Sequence, residues 1–167
     1  MYLLGALLSL SLLAWASSEE NLLELQSTTE GSENTTESIL DWEAPAYIKK
    51  QFPYYLSGVD YENRPVVVLE WGKWNPSKIT EEGGEDLLIL RKYADQMMER
   101  MRTSFYKQAL NDPEAKDDLA VLIDFDGLDL NQARSPATVK FFIEMSERVE
   151  RVYHLFEYGF VVNGKKL

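Results

Sequence analysis

Three carboxylates, Asp124, Asp126 and Asp129, follow a short apolar run, and together they suggest a site for a divalent cation. Calcium is bound by carboxylate and carbonyl oxygens, and an EF-hand loop needs oxygen ligands at positions 1, 3 and 5 and a Glu at position 12. Counted from Asp124, position 5 is Leu128 and position 12 is Ser135. The spacing fails, so these carboxylates are predicted to lie in a solvated turn at the end of a strand.

The remaining residue types give no catalytic constellation. The chain has no cysteine, which excludes disulfides, thiolate metal sites and cysteine nucleophiles, and its one histidine is His154. A general base needs a nucleophile or a carboxylate partner within reach, and no Gly-x-Ser-x-Gly motif is present. We therefore predict no catalytic residue, no metal and no cofactor, and a packing or surface position for His154.

The carboxylates are positioned by a central apolar run, Leu119–Ile123. Such a short run without polar alternation predicts a strand buried on both faces, as in a sheet covered by helices. Two further strand-like runs, Pro65–Trp71 and Gly159–Val162, are separated from it by amphipathic segments. The order strand, helix, strand, helix, strand predicts an α/β fold, in which a mixed, mainly parallel sheet is flanked by helices.

Apolar residues at spacings of three and four predict two long helices. The first covers Glu85–Ala109, with a stripe at Leu87, Leu90, Ala94, Met97, Met101 and Phe105. The second starts with Ser135 as N-cap and Pro136 in the first turn, and Gly159 is expected to end it. Its stripe comprises Val139, Phe142, Ser146, Val149, Tyr153 and Phe156. Elsewhere we predict a short helix over Pro45–Phe52, a turn over Tyr54–Gly58 and a loop over Gly72–Gly84.

The first 38 residues differ from the rest. Leu3–Leu13 has the length of a signal-peptide core, and Ala14-Trp15-Ala16 places small residues before Ser17, so residues 1–16 are predicted to be a cleaved signal peptide. An uncleaved anchor or a different start site is the alternative. Residues 17–38 are predicted to form a flexible acidic linker, with a glycosylation sequon at Asn34. The expected location is secreted, or cytoplasmic if the signal is not functional.

The net charge of −11 is concentrated near the N-terminus. Residues 1–48 hold eight acidic residues and no Lys or Arg, whereas the remainder has 20 acidic and 17 basic residues. The body is therefore close to neutral, which puts no strong electrostatic barrier against transient contact with a membrane surface. Nothing in this distribution supports nucleic-acid binding.

Four blocks in fixed order carry a family resemblance: Ile39–Pro45, Tyr54–Asp60, Asn63–Val66 and Leu122–Leu128. Their sequences and intervals resemble the CRAL-TRIO, or Sec14-like, lipid-binding domain, over roughly Ile39–Val162. The resemblance implies a three-layer α/β domain whose sheet is the floor of an apolar cavity. Such domains hold one hydrophobic molecule, such as a phosphoinositide, phosphatidylcholine, a tocopherol, a retinoid or squalene, without covalent chemistry.

Relative to that family, residues 39–167 are expected to form a partial domain. The helical module that usually precedes the domain is replaced by the acidic segment, and the chain ends after the third predicted strand. The later strands and the gate-like helix of the family would then be missing. Such a sheet would expose an edge and an apolar face, which favours a partner protein or a second copy.

Candidate ligand contacts come from the strand faces. Alternation places Val66 and Val68 on one face of their strand, and Val121, Ile123 and Phe125 on one face of the central strand. The alternative is that these residues pack under helices as ordinary core. Three methionines of the first long helix could also contact a lipid, although their helical spacing favours a core position: Met97, Met98 and Met101.

The sequence thus predicts a non-catalytic protein that binds a hydrophobic small molecule or phospholipid in an apolar pocket, with transfer of that ligand as a further hypothesis. A truncated domain that acts only through protein–protein contacts, including a homodimer through the sheet edge, is the alternative.

Overall fold

The computed structural model describes residues 38–129, 131 and 134–164. The expectations for the signal peptide, the acidic linker before residue 38 and the sequon at Asn34 lie outside these residues. Within them the elements are α1 (Ala46–Gln51), β1 (Tyr54–Val59), β2 (Pro65–Leu69), α2 (Ser77–Glu82), α3 (Gly84–Arg102), α4 (Phe105–Leu110), β3 (Leu119–Asp124), α5 (Pro136–Val152) and β4 (Phe156–Val162). None of the described helices combines the length and the hydropathy needed to cross a membrane.

The four strands form one sheet in the order β1-β2-β3-β4. β1 is antiparallel to β2, whereas β2, β3 and β4 run parallel to one another. Helices connect β2 to β3 and β3 to β4, and right-handed crossovers between neighbouring parallel strands place such helices on the same face of a sheet. The predicted α/β class with a mixed, mainly parallel sheet is confirmed.

β1 corrects the expectation of a turn over Tyr54–Gly58. Its residues alternate strictly between half-buried and exposed, with Tyr54 and Leu56 packed against the core. The pairing with β2 is interrupted between Leu56 and Gly58, where Gly58 has a φ of 143° that an L side chain rarely adopts. That glycine belongs to a bulge rather than to a turn, so the sheet has four described strands instead of three.

The segment between β2 and β3 contains more separate helical elements than its sequence pattern predicts. A 3-10 turn at Trp71–Lys73 and helix α2 occupy the expected loop over 72–84. The expected helix over 85–109 is broken after Arg102, because Ser104 adopts a left-handed conformation with a φ of 53°. The chain therefore changes direction at Thr103 and Ser104, between α3 and α4.

Helix α5 begins as predicted, with the Ser135 side chain accepting a hydrogen bond from the Thr138 backbone N–H at 3.2 Å. Its buried face is displaced from the expected stripe, since Val139 is 43% and Tyr153 is 52% exposed. The fully buried positions are Thr138, Phe141, Met145 and Val152. Thr138 can be buried because its hydroxyl lies 2.7 Å from that of Thr80 on α2, a polar contact that an apolar pattern does not reveal.

The predicted end of the second long helix is also wrong. α5 ends at Val152 and a 3-10 turn leads directly into β4, so Phe156 begins a strand and Gly159 lies inside that strand. Gly159 stands opposite Val121, and a Cβ there would lie 3.4 Å from the Val121 carbonyl oxygen. A glycine thus fits a close approach between β4 and β3 rather than a helix stop.

The two faces of the sheet have different surroundings. The inner face contributes Val67, Leu69 and Val121 to one hydrophobic core cluster with the helices. The outer face carries Val68 and Phe160, which lie outside that cluster, and Phe160 is 61% exposed. A ligand cavity covered by the described helices therefore lies on the inner face.

Candidate functional site

The structure divides the predicted ligand contacts between these two faces. Val121 and Ile123 point to the inner face and pack with the helices, whereas Val66 and Val68 occupy the alternate positions of β2 and point outward. Phe125 follows β3 and is half-buried. These residues consequently do not line a single pocket.

A small cavity lies between the inner face and helices α3 and α5. Its volume is about 40 Å³, and its sheet side is formed by Leu69, Val121 and Ile123. A cavity of this size holds about one water molecule, whereas ligand pockets usually span about 300–1,000 Å³. A ligand can be accommodated only if the walls move apart.

The helix side of the cavity is dominated by methionines: Met97, Met98, Met101 and Met145. All four are buried core residues, which agrees with the core position favoured for the three on α3. Methionine is unbranched and polarisable, so its side chain can refill an irregular space at low cost. These residues are therefore core in the closed protein and the most adaptable part of the cavity wall. The sequence pattern missed Met145 because it lies off the stripe predicted for α5.

Aromatic residues close the end of the cavity near the carboxyl ends of β2 and β3. The rings of Trp71 and Trp74 are 6.1 Å apart, and that of Phe125 lies 6.3 Å from Trp71. The Trp74 indole N–H donates to the Pro53 carbonyl oxygen at 3.1 Å, which fixes this ring. Phe125, predicted as a ligand contact, thus belongs to an aromatic group beside the cavity.

A polar cluster that the sequence pattern did not reveal lies beside the cavity, at β1. Arg100 Nη1 donates to Tyr54 Oη at 3.1 Å, and the rings of Tyr54 and Tyr93 are 5.1 Å apart. Tyr106 joins this cluster through Phe105, whose ring centroid lies 5.7 Å from that of Tyr106 and 4.9 Å from Arg100 Cζ. Burial raises the pKa of Tyr54, Tyr93 and Tyr106, so all three remain neutral near pH 7. The cluster combines one guanidinium with three phenols.

A second charged group links the amino ends of β2 and β3 to the residue after β1 and to β4. Arg64, 8% exposed, donates from Nε to Asp118 at 2.7 Å and pairs with Glu62 at 2.7 Å. Asp60 accepts hydrogen bonds from the Tyr158 hydroxyl and from the Arg64 backbone N–H. The Tyr158 hydrogen bond is the main cause that lowers the pKa of Asp60 to about 2. Asp118, in turn, is the main cause that raises the pKa of Arg64. This group stabilises strand pairing and lies away from the cavity lining.

The carboxylates first considered for calcium serve the turn after β3. Asp124 Oδ1 accepts from the Asp126 backbone N–H at 2.9 Å and from Asn163 Nδ2 at 2.8 Å. Asp129 accepts from the Asn131 backbone N–H in the same manner. Among residues 38–129, 131 and 134–164, no group of three or more possible ligands is arranged to hold a metal ion.

Comparison with known protein families gives a match. The family model described as the CRAL/TRIO domain matches residues 49–160, more than half of the chain, from α1 through most of β4. No curated protein matches the chain.

Proposed function

Because the chain belongs to the CRAL/TRIO domain family, we propose that it binds one lipid or small hydrophobic molecule between the inner face of its sheet and helices α3 and α5. Domains of this family bind or transfer such ligands rather than catalyse reactions. Transfer would require transient contact with a membrane surface, which the near-neutral body of the chain does not oppose.

The observation that carries this proposal is the cavity beside four methionines. A cavity of about 40 Å³ marks the place where the core is incompletely filled, and flexible side chains form the wall that must yield. Val121 and Ile123 would then contact the ligand, and Val66 and Val68 would not. Binding would be driven by apolar surface removed from water.

The test is to purify the full chain from a eukaryotic host and weigh it by native mass spectrometry, before and after organic extraction. We expect one stoichiometric apolar molecule. Val121→Phe fills the cavity and should abolish its retention, whereas the matched outer-face variant Val66→Phe should retain it. Ile123→Phe provides a second inner-face variant at a less buried position. A lipid-free wild type, or equal retention in inner-face and outer-face variants, would contradict the proposal.

A second candidate function, contact with another protein or a second copy of the chain, is favoured by β4. β4 is an edge strand of the described sheet, and its Phe160 and Val161 are 61% and 39% exposed. Exposed apolar edge strands pair readily with other strands. Sedimentation of lipid-free protein separates the two functions, because an obligate dimer without lipid supports contact and a lipid-carrying monomer supports binding.

We also propose that the protein is secreted, on the basis of Leu3–Leu13 and the small residues at Ala14 and Ala16. Protein recovered from the medium should begin near Ser17 and should lose mass at Asn34 on enzymatic deglycosylation. Retention of the intact N-terminus inside the cell would favour a cytoplasmic location instead.

A further inference from the structure

We propose that the ligand is a single-chain amphiphile whose oxyanion headgroup binds Arg100, while its apolar chain occupies the methionine-lined cavity. This inference rests on the proposed function of that cavity. It adds the charge of the ligand and the residues that bind the headgroup.

The first observation is that Arg100 forms no hydrogen bond with a carboxylate in the described part of the chain. Its only hydrogen-bond acceptor among the described residues is Tyr54 Oη, and its Nε is buried without any partner. Two other arginines of the same helix differ: Arg91 forms two hydrogen bonds with Glu144, and Arg102 forms two with Glu99. A guanidinium has five N–H donors and a planar fork that matches an oxyanion.

The second observation is a second unsatisfied group in the same cluster. The hydroxyl of Tyr106, a residue only 4% exposed, has no hydrogen-bond partner in the described part of the chain. Buried polar groups in native proteins are almost always satisfied, so two orphan donors in one cluster require an explanation. An oxyanion that accepts from both would satisfy them together.

Packing alone does not account for Arg100. The Phe105 ring lies 4.9 Å from its Cζ, and this cation–π contact favours the charge. The ring cannot accept the in-plane hydrogen bond of Nε, however, so this one N–H stays unsatisfied among the described residues. Among the described residues no carboxylate is hydrogen-bonded to Arg100. The charge of Glu43 interacts with it only through space, because that exposed carboxylate pairs with Lys49.

The third observation is the position of the cluster beside the cavity. Tyr54 lies directly opposite Leu69 in the pairing of β1 and β2, and Leu69 lines the cavity. Met97 and Met101, which also line it, flank Arg100 along α3. An apolar chain in the cavity would therefore place its headgroup at Arg100.

The test compares three ligands with the same C16 chain: palmitate, hexadecyl phosphate and hexadecanol. Affinities for the full chain are measured by displacement of a fluorescent hydrophobic probe. We expect both anions to bind at least tenfold more tightly than the alcohol, the factor expected for a charge-assisted hydrogen bond. Whichever anion binds more tightly identifies the headgroup as a carboxylate or a phosphate.

Arg100→Gln should weaken binding of the anions by roughly 10- to 100-fold and leave hexadecanol binding unchanged. Arg102→Gln is the matched control, because this exposed arginine on the same helix already pairs with Glu99, and it should change neither. If thermal unfolding shows that Arg100→Gln is not folded, Arg100→Lys keeps the charge but loses the planar fork, and should still weaken anion binding selectively.

Equal affinity for the anions and the alcohol, or no effect of the Arg100 variants, would overturn the headgroup site while leaving the apolar site intact. Failure of all three ligands to bind would overturn both proposals.

Discussion

Gly72 shows how a single residue fixes the end of the sheet. A Cβ at this position would lie 2.1 Å from the Asp126 backbone carbonyl oxygen and 2.5 Å from the Phe125 carbonyl carbon. Backbone atoms cannot rotate away as a side chain can. The glycine therefore permits the turn after β3 to pack on the 3-10 turn after β2, beside the aromatic group at the cavity.

Gly72→Ala should destabilise the protein by roughly 1–3 kcal/mol, because one strand end must shift to remove the overlap. Denaturant unfolding followed by circular dichroism measures the effect. Gly164→Ala is the control, since a Cβ there meets no atom within 4 Å and the position has no unusual φ. Equal stability of both variants would show that the two turns do not pack closely in solution.

Asp60 supplies a prediction about pH. Its pKa is lowered from 3.8 to about 2, first by the hydrogen bond from Tyr158 and next by the backbone N–H of Arg64. A carboxyl group whose folded pKa is depressed contributes stability above its unfolded pKa and loses it as pH falls through the folded value. Asp60 should therefore stabilise the fold above about pH 4 and cease to do so between about pH 4 and 2.

Tyr158→Phe removes the main cause of the lowered pKa and should flatten the fall in unfolding midpoint between pH 4 and 2. The midpoint is measured by urea unfolding at several pH values. Tyr61→Phe is a suitable control because this fully exposed tyrosine adjoins Asp60 in sequence. If the unfolding midpoint of Tyr158→Phe falls between pH 4 and 2 as steeply as that of the wild type, Asp60 does not contribute to the loss of stability in acid.

At the scale of elements, ion pairs join α3 to α5 across the cavity. Arg91 donates two hydrogen bonds to Glu144, both at 2.9 Å, and Arg148 donates to Asp95 at 2.6 Å. These pairs are partly exposed, so each is expected to contribute only about 0.2–1 kcal/mol. Their position matters more than their strength, because the two helices must separate if the cavity is to open.

A double-mutant cycle with Arg91→Gln and Glu144→Gln should give a coupling energy of about 0.5–1 kcal/mol in urea unfolding. The same single variants should release a bound apolar probe faster, since the helix pair opens more readily. If the coupling energy is zero at both low and high salt, this ion pair does not hold the two helices together.

The sequence correctly predicts those elements whose formation depends on residues next to one another in the chain. The run Leu119–Ile123 became β3, and Ser135 with Pro136 began α5, because strand hydrophobicity and N-capping depend on adjacent residues. The break at Ser104 was missed, because nothing in the helical spacing predicts a left-handed residue there. The pattern does not predict β1 over Tyr54–Val59, because glycine is depleted in strands and Gly58 lies within this one.

The candidate site was less predictable, because it depends on contacts between distant segments. A period of two predicts that Val66 and Val121 alternate with their neighbours, but it does not say which face of each strand the helices cover. The strand register places these two residues on opposite faces. Arg100 and Tyr54, 46 residues apart, carry no shared sequence signal at all.

At the scale of the whole molecule, the cavity is much smaller than the ligand that it is proposed to hold. A volume of about 40 Å³ excludes a C16 chain, so the described conformation is closed. Binding must then select an open conformation, in which α3 and α5 stand further from the sheet. A ligand that binds only the open form raises the ratio of open to closed protein, and this ratio grows with the ligand concentration relative to its Kd.

This closed cavity leads to a prediction for hydrogen exchange. With an apolar ligand bound, amides of α3 and α5 should exchange more slowly, because exchange through unfolding of these helices first requires ligand release. At a free ligand concentration of 100 times its Kd the slowing should approach about 100-fold. Helix α1, which contributes no residue to the cavity lining, should change little. Slowing confined to β4 would instead indicate that the ligand binds the outer face, around Phe160, and would require the cavity to be abandoned as the binding site.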